Sequence, residues 1–270
     1  MHLFDEATAL EPLGEDGRRF SGAAHPGFKN MIGPYGGWSA AILAKSMIEA
    51  SGPDMELTTI TTDFLAGASE GPITIDLECK RQGRNTQFWT ADLVPGGSET
   101  PANCALGIMS RRRETLAWVE GHRPDAPEPE DCERFPLPMA WTKPVEMRGA
   151  ANNPFTGGDG TTKSLAWVRL DPDRPLDPVG LVALADTPTP RLFFKTGKPD
   201  LIATVSMTVY LHATPDDYEA VGTDYLLVEA TGARGGRGFN DQHATIWSRD
   251  GRLMATTQQM VSYRTKASKP

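Results

Sequence analysis

The sequence predicts an α+β fold in which an antiparallel sheet curls around a helix, and this unit is expected twice along the chain of 270 residues. Residues 36–50 are rich in alanine and apolar around almost the whole helical circumference, which is typical of a helix enclosed by other structure. Stretches rich in β-branched residues follow it, as expected of antiparallel strands. A second helical pattern and a second run of strands come after residue 144. The sequence therefore indicates two copies of one helix-in-sheet unit.

The first helix is expected to begin at Gly36 and Gly37 and to end before Gly52 and Pro53. Glycine favours the left-handed conformation that closes a helix, and proline cannot continue one. The two opening glycines supply no side-chain cap, so the first backbone N–H groups are free to face a carbonyl oxygen or an anion. A tight turn into the helix is the alternative explanation for the glycine pair.

Antiparallel strands are expected on both sides of this helix in the first half. Ile73, Ile75 and Leu77 alternate with polar residues, as in a sheet that has one face in water. Turn signals rich in glycine and proline separate the strands. A first strand and its loop are expected within residues 20–32. The other strands are expected at residues 57–65, 73–79, 87–94 and 102–111.

Residues 120–144 form a segment rich in proline and acidic side chains. This composition predicts an extended linker that contributes nothing to a core and that Trp118 and Trp141 hold at the surface. The expected organisation is therefore a first unit over residues 1–119, the linker over residues 120–144 and a second unit over residues 145–270.

The second half repeats the order of the first. Its helix is expected to start near Asp177 and Pro178 and is broken by Pro188. The Gly-Arg pairs at residues 83–84 and 236–237 fall at equivalent turns when the halves are set side by side, which supports a duplicated domain. The strands of this half are expected at residues 145–150, 165–170, 201–212, 225–231, 239–247 and 253–263.

Composition excludes several classes of function. The formal net charge of −8 argues against nucleic acid as a partner. The basic run at residues 111–113 is expected at a solvated strand end, with a local phosphate-binding patch as the alternative. No segment approaches the ~20 apolar residues of a membrane span, and the N-terminus lacks the order of a secretory signal. Cys79, Cys104 and Cys132 have no metal-ligand spacing and are expected to be reduced thiols in a cytoplasmic protein.

Motifs near the C-terminus, taken with the glycine-opened helix and a strand ending Asp-Phe-Leu, resemble the type II acyl-CoA thioesterase family. These motif residues are Arg237, Gly238, Phe239, Ile246, Trp247, Asp250, Gly251, Ala255, Gln259 and Arg264. The resemblance implies a double hotdog fold, in which two helix-in-sheet units are fused in one chain. It also implies that an activated water hydrolyses the thioester of an acyl-CoA, with no metal or redox cofactor.

Members of this family use an Asp, a Thr and a Gln to position and deprotonate the water. The resemblance assigns the Thr role to Thr231 and the Gln role to Gln259, with Gln258 as the alternative in register. The place of the Asp is expected early in the strand at residues 201–212, where Ser206 stands. A serine hydroxyl orients a water but cannot hold its proton, and a positioned base is commonly worth ~10²–10⁴ in rate.

Another carboxylate is therefore expected to act as the base. Asp63 in the equivalent strand of the first half and Asp186 on the second helix are the favoured candidates, and Glu229 is a third. Each also has a purely structural explanation, as a strand-end polar residue, a turn acceptor or a paired acid. The residues expected to contact the substrate are Gly36, Gly37, Ser206 and Arg237.

Two other classes of function stay open on the sequence alone. A non-catalytic acyl-CoA-binding protein would keep the groove and lack the base, which Ser206 favours. A hotdog hydratase or dehydratase would need a His with an Asp or Asn, and only His25 and His212 have suitable positions. The sequence contains no Gly-x-Ser-x-Gly elbow, no phosphate loop and no zinc spacing.

The resemblance also implies a homodimer, because the long edges of hotdog sheets need to be covered. Neither nucleic acid nor a membrane is expected as a partner. The sequence does not determine the length of the acyl chain, since the depth of the tunnel depends on the directions of side chains such as Trp38, Met47 and Tyr210.

Overall fold

The computed structural model describes residues 1–135, 137–155 and 160–265. The predicted linker and second unit also include residues 136, 156–159 and 266–270, which lie outside the described residues. The helices are α1 (Leu3–Ala7), α2 (Gly36–Ser51), α3 (Pro178–Leu184), α4 (Phe193–Thr196) and α5 (Pro215–Val221).

Fifteen strands are found among the described residues. In the first half they are β1 (Glu11–Pro12), β2 (Arg19–Ala24), β3 (Lys29–Asn30), β4 (Gly33–Pro34), β5 (Glu56–Phe64), β6 (Gly71–Gln82), β7 (Thr86–Pro95) and β8 (Asn103–Ser110). In the second half they are β9 (Val145–Ala151), β10 (Ser164–Leu170), β11 (Ile202–Leu211), β12 (Leu226–Thr231), β13 (Gly235–Gly236), β14 (Phe239–Ser248) and β15 (Leu253–Tyr263).

The two halves share one continuous antiparallel sheet. Its strand order is β1-β2-β6-β7-β8-β5-β11-β15-β14-β12-β10-β9, with β13 paired to β14. The halves meet where β5 pairs with β11, and Ser206 lies opposite Asp63 in that register. Joining the halves along this line removes one free edge from each sheet.

Helix α2 lies inside the curl of the first half and packs on strands β5 to β8. It also packs on α3, and both helices belong to the same hydrophobic core. Ala40, Ala41 and Ala44 are fully buried, so small side chains allow the close approach of surrounding structure. The predicted arrangement, a double hotdog with one enclosed helix in each half, is confirmed.

Some local elements differ from the sequence expectation. The first strand is Arg19–Ala24 and gives way to a short 3₁₀ turn at Pro26–Phe28, so residues 20–32 are mostly not strand. Helices α1, α4 and α5 have four to seven residues. The sequence analysis missed them because helices of one or two turns are too short to show a helical periodicity in the sequence.

The expectation that residues 120–144 contribute nothing to a core is wrong. Cys132 is buried in a small hydrophobic cluster with Trp167 and Trp247, and the indole N–H of Trp167 donates to the carbonyl of Pro127 at 2.8 Å. Trp141 is buried and stacks on Tyr35 with ring centroids 4.1 Å apart. Two short 3₁₀ turns, Pro129–Asp131 and Ala140–Thr142, interrupt the extended backbone, and apolar side chains of this segment pack on both halves of the chain. Trp118, in contrast, is 74% exposed.

The helices that the structure describes are all too short or too polar to cross a membrane.

Candidate active site

Asp186 and Gln259 form a direct polar contact in the core of the second half. The Gln259 Nε2 donates to Oδ1 of Asp186 at 2.9 Å and also lies 3.3 Å from Sδ of Met207. Asp186 stands two residues beyond the end of α3, while Gln259 is a buried residue of β15. Asp186 keeps part of its surface accessible, so the pair lies between the core and solvent.

The amino end of α2 is directed at this carboxylate. The backbone N–H of Gly37 donates to Asp186. A Cβ added at Gly36 would lie 2.8 Å from Oδ2 of Asp186, so only glycine leaves room for the carboxylate there. The N-cap residue Tyr35 makes no side-chain capping bond. The uncapped, positive end of a 16-residue helix therefore stands beside the acid.

The pKa of Asp186 lies near neutral pH. Burial disfavours the charged form and raises the pKa of Asp186 from 3.8 to about 7, although the hydrogen bonds from Gln259 and Gly37 oppose this rise. A carboxylate with a pKa near the working pH is well matched to accept a proton from water.

A threonine that the sequence analysis did not single out faces the same side of the sheet. Met207 lies opposite Gln259, and a bulge between Thr204 and Ser206 resets the alternation, so Thr204 lies opposite Val261. Thr204 therefore shares the inner face with Gln259. Thr62 lies opposite Met207 and is fully buried, and within the described part of the chain its Oγ1 has no hydrogen-bond partner.

The structure does not bring Thr231 to this pair. Thr231 ends β12, is exposed, and lies opposite His243, whereas Gln242 is the β14 residue opposite Gln259. Adjacent residues of a strand point to opposite faces, so Thr231 projects to the outer face. Glu229 shares that face and pairs with Lys163.

Asp63, Ser206 and Gln258 also lie on the outer face. Ser206 is opposite Asp63. On the same face, the hydroxyls of the next cross-strand pair, Thr61 and Thr208, form a hydrogen bond of 2.9 Å. The side chain of Ser206 therefore lies on the opposite face of the sheet from that of Gln259. Of the two favoured carboxylates, Asp186 contacts Gln259 and Asp63 does not.

The two histidines considered for a hydratase have structural partners. His25 accepts from the backbone N–H of Gly27 at the start of a 3₁₀ turn. His212 lies 3.1 Å from the hydroxyl of Thr256, and burial lowers its pKa, as does the charge of Arg112. The remaining substrate-contact candidate, Arg237, lies in the turn that precedes β14.

Arg191 is a buried residue that the sequence analysis missed. Its guanidinium donates to Oε1 of Gln242 at 3.0 Å and to the carbonyl of Ala230 at 3.0 Å, and burial lowers its pKa to about 9. These bonds fasten the segment that follows Asp186 to β12 and β14. Gln242 lies opposite Gln259, so Arg191 supports the neighbourhood of the pair rather than the acid itself.

Comparisons with known proteins identify the family of the chain. The family model described as "Acyl-CoA thioesterase N-terminal domain" matches residues 25–112, and "Acyl-CoA thioesterase C-terminal domain" matches residues 120–263. The chain therefore belongs to the acyl-CoA thioesterase family.

Individual relatives span almost the whole chain. Acyl-CoA thioesterase 2 of Haemophilus influenzae is 25% identical over 254 residues, which cover 83% of this chain and 85% of that protein. A conserved protein of unknown function with a hot dog fold from Alicyclobacillus acidocaldarius is 34% identical, with a TM-score of 0.92 over 99% of this chain and 100% of that one. Acyl-CoA thioesterase II TesB2 from Mycobacterium marinum shares the fold at 17% identity, with a TM-score of 0.72 over 98% and 99% of the two chains.

Proposed function

We propose that this chain hydrolyses the thioester of an acyl-CoA with Asp186 as the general base. The observation that carries the proposal is the contact between Asp186 and Gln259 at the amino end of α2, where burial brings the pKa of the acid to about 7. A base with that pKa removes a proton from water at neutral pH and can return it within the same cycle.

Side chains and backbone groups of this chain can supply the proton transfers and the charge stabilisation that the hydrolysis needs. Asp186 takes a proton from water as the water oxygen attacks the thioester carbonyl carbon. The side-chain carbonyl oxygen of Gln259 and the hydroxyl of Thr204 orient the water, and free N–H groups at the start of α2 stabilise the developing oxyanion. Collapse of the tetrahedral intermediate breaks the C–S bond, and the proton on Asp186 passes to the leaving thiolate. The products are a carboxylic acid and the CoA thiol.

The proposal is tested by thiol release from short, medium, long and aromatic acyl-CoAs. Gln259→Ala and Thr204→Val are each expected to lower kcat by about 10²-fold, because each removes a group that positions the water. Thr62→Val is the matched control, since Thr62 faces the same side but is fully buried. A kcat equal to that of the wild type in both Gln259→Ala and Thr204→Val would contradict these roles.

The non-catalytic alternative loses its main support. It was based on Ser206 in place of an acid, and the structure has a carboxylate, Asp186, in contact with Gln259. Acyl-CoA that binds without any thiol release above the uncatalysed rate would restore that alternative.

We further propose a homodimer in the cytoplasm. Leu106, Tyr210 and Met260 are exposed apolar residues on the outer face of β8, β11 and β15, which a second copy would cover. The cysteines Cys79, Cys104 and Cys132 are unpaired, as in a reducing compartment. Sedimentation equilibrium is expected to give twice the chain mass of 29.3 kDa, and a mass of one chain would contradict the dimer.

A further inference from the structure

The side chain of Tyr35 connects the amino end of α2 to the turn that carries Asp186. Tyr35 is the residue before the helix and is only 2% exposed. Its hydroxyl donates to the carbonyl oxygen of Ala183 in α3 at 2.8 Å. The same oxygen accepts the backbone N–H of Asp186 at 3.4 Å. One carbonyl group therefore contacts both the phenol of the first half and the backbone of the acid in the second half.

The phenol of Tyr35 stays protonated at the pH values at which hydrolysis is measured. Burial raises the pKa of Tyr35 well above its ordinary value of 10.0, and the nearby charge of Asp186 raises it further. The neutral hydroxyl can therefore donate to Ala183 whether or not Asp186 carries a proton. Its contribution is to hold the backbone in place and not to transfer a proton.

An indole from the linker fixes the ring of Tyr35. Trp141 lies in the 3₁₀ turn Ala140–Thr142 and is 5% exposed. Its ring stacks on that of Tyr35, with the centroids 4.1 Å apart and the planes 5° from parallel. The hydroxyl of Thr142 donates to the carbonyl of Leu137 at 2.7 Å, which holds the turn itself. The stack therefore keeps the phenol directed at its carbonyl partner.

Stacking and packing, and not a hydrogen bond, hold the indole of Trp141. Within the described part of the chain, its buried Nε1 has no hydrogen-bond partner. A buried N–H without an acceptor does not stabilise the fold, whereas aromatic rings in contact stabilise each other beyond the area that they bury. The flat ring is therefore the part of this side chain that acts on Tyr35, and a phenylalanine ring should be able to take its place.

The start of α2 and the end of α3 are in close contact at the candidate site. The N–H of Gly37 donates to Asp186, and a Cβ at Gly37 would lie 2.4 Å from the carbonyl oxygen of Ala183. In the proposed reaction, N–H groups at this helix start stabilise the oxyanion while Asp186 takes the proton. A shift of one helix against the other would separate these groups, and a misplacement of about 1 Å can cost 10²-fold in rate.

We propose that Tyr35 and Trp141 are positioning residues for the hydrolysis. The indole fixes the phenol, and the phenol fixes the start of α2 against the turn of Asp186. The linker thereby sets the geometry of the candidate cleft, although it supplies no reacting group. The inference rests on the proposed function and adds to it the residues that keep the helix end and the acid at the right separation.

Thiol release from acyl-CoA tests these contacts. Tyr35→Phe and Trp141→Ala are each expected to lower kcat about 10-fold or more, with KM changed by less than about 2-fold. Trp141→Phe should keep kcat within about 2-fold of the wild type, because it keeps a stacked ring. Trp118→Ala is the matched control with wild-type kinetics, since it removes a tryptophan that is 74% exposed. A loss of kcat in Trp141→Phe as large as that in Trp141→Ala would contradict the stacking role.

The double variant Tyr35→Phe/Trp141→Ala shows whether the indole acts through the phenol. Two residues that act through one contact have effects that do not add. The kcat of the double variant is therefore expected to equal that of the slower single variant. If the two losses in kcat multiply instead, the inference is wrong.

The amide resonance of Gly37 separates this inference from the proposed function, because it needs no turnover. In the wild type, its chemical shift should change through about pH 7 as Asp186 ionises. The change is expected to fall to half or less in Tyr35→Phe and Trp141→Ala, since the hydrogen bond weakens as its atoms separate. This result supports the inference even if no thioester is hydrolysed. A full wild-type response in both variants, or no response in the wild type, overturns it.

Discussion

Asp186→Asn is expected to lower kcat by about 10²–10⁴ while acyl-CoA still binds. Asparagine keeps the shape of the side chain and can still accept the hydrogen bond from Gln259, but it cannot take a proton. For the wild type, kcat/KM should rise with pH through about 7, where Asp186 loses its proton, and then level off. The measurement is thiol release between pH 5 and 9. A wild-type profile that is flat through pH 7, or full activity in Asp186→Asn, would rule out Asp186 as the base.

The same substitution is expected to stabilise the fold at alkaline pH. The folded-state pKa of Asp186 lies above its ordinary value, so the unfolded chain ionises first as the pH rises. Wild-type stability contributed by the protonated acid is therefore fully present below about pH 4 and is lost as the pH rises to about 7. One pKa unit is worth 1.36 kcal/mol, so the advantage of Asp186→Asn should grow over this range to about 4 kcal/mol. Urea unfolding at pH 4 and pH 8 measures this difference, and a gap that does not widen would contradict the raised pKa.

Gly37→Ala is expected to reduce the free energy of unfolding by about 1–3 kcal/mol or more. A Cβ at this position would lie 2.4 Å from the carbonyl oxygen of Ala183 and 2.5 Å from the ring of Tyr35. The first of these is backbone of α3, so the two helices would have to separate. Since the N–H of Gly37 donates to Asp186, any folded fraction should also show its pH profile displaced upward.

Gly149→Ala is the control for this substitution. A Cβ there would stand 3.4 Å from the ring of Phe135, which is ordinary contact. Urea midpoints should fall for Gly37→Ala and stay within about 0.5 kcal/mol of the wild type for Gly149→Ala. Equal midpoints for the two variants would show that the helix contact is not tight at Gly37.

Sequence reasoning placed most elements because binary pattern and turn chemistry act locally. The helix expected at residues 36–50 is Gly36–Ser51, and the strand expected at residues 165–170 is Ser164–Leu170. The linker was harder to predict, because its composition shows that the backbone is extended but not that Cys132 and Trp141 are buried.

Only part of the candidate site could be predicted, because the face of the sheet on which a side chain lies depends on β-bulges that the sequence pattern does not reveal. Gln259 and Asp186 were both candidates, but the choice between Asp63 and Asp186 needed the face of β5. A bulge between Leu57 and Thr59 interrupts the alternation in that strand, so counting from its start puts Asp63 on the wrong side. A second bulge, after Thr204, hid the threonine that shares a face with Gln259.

The uncapped start of α2 has no counterpart at the start of α3, so the two halves of this chain differ at equivalent positions. At the start of α3 the equivalent place is filled, since Asp177 accepts the N–H of Gly180 at 2.6 Å and binds Arg174. Two residues past the end of α2 stands Pro53, where the second half has its acid. In a symmetric pair of identical chains every substitution would alter both clefts at once. Fusion removes that constraint, so in the candidate cleft one half supplies the helix end and the other supplies the acid and the amide.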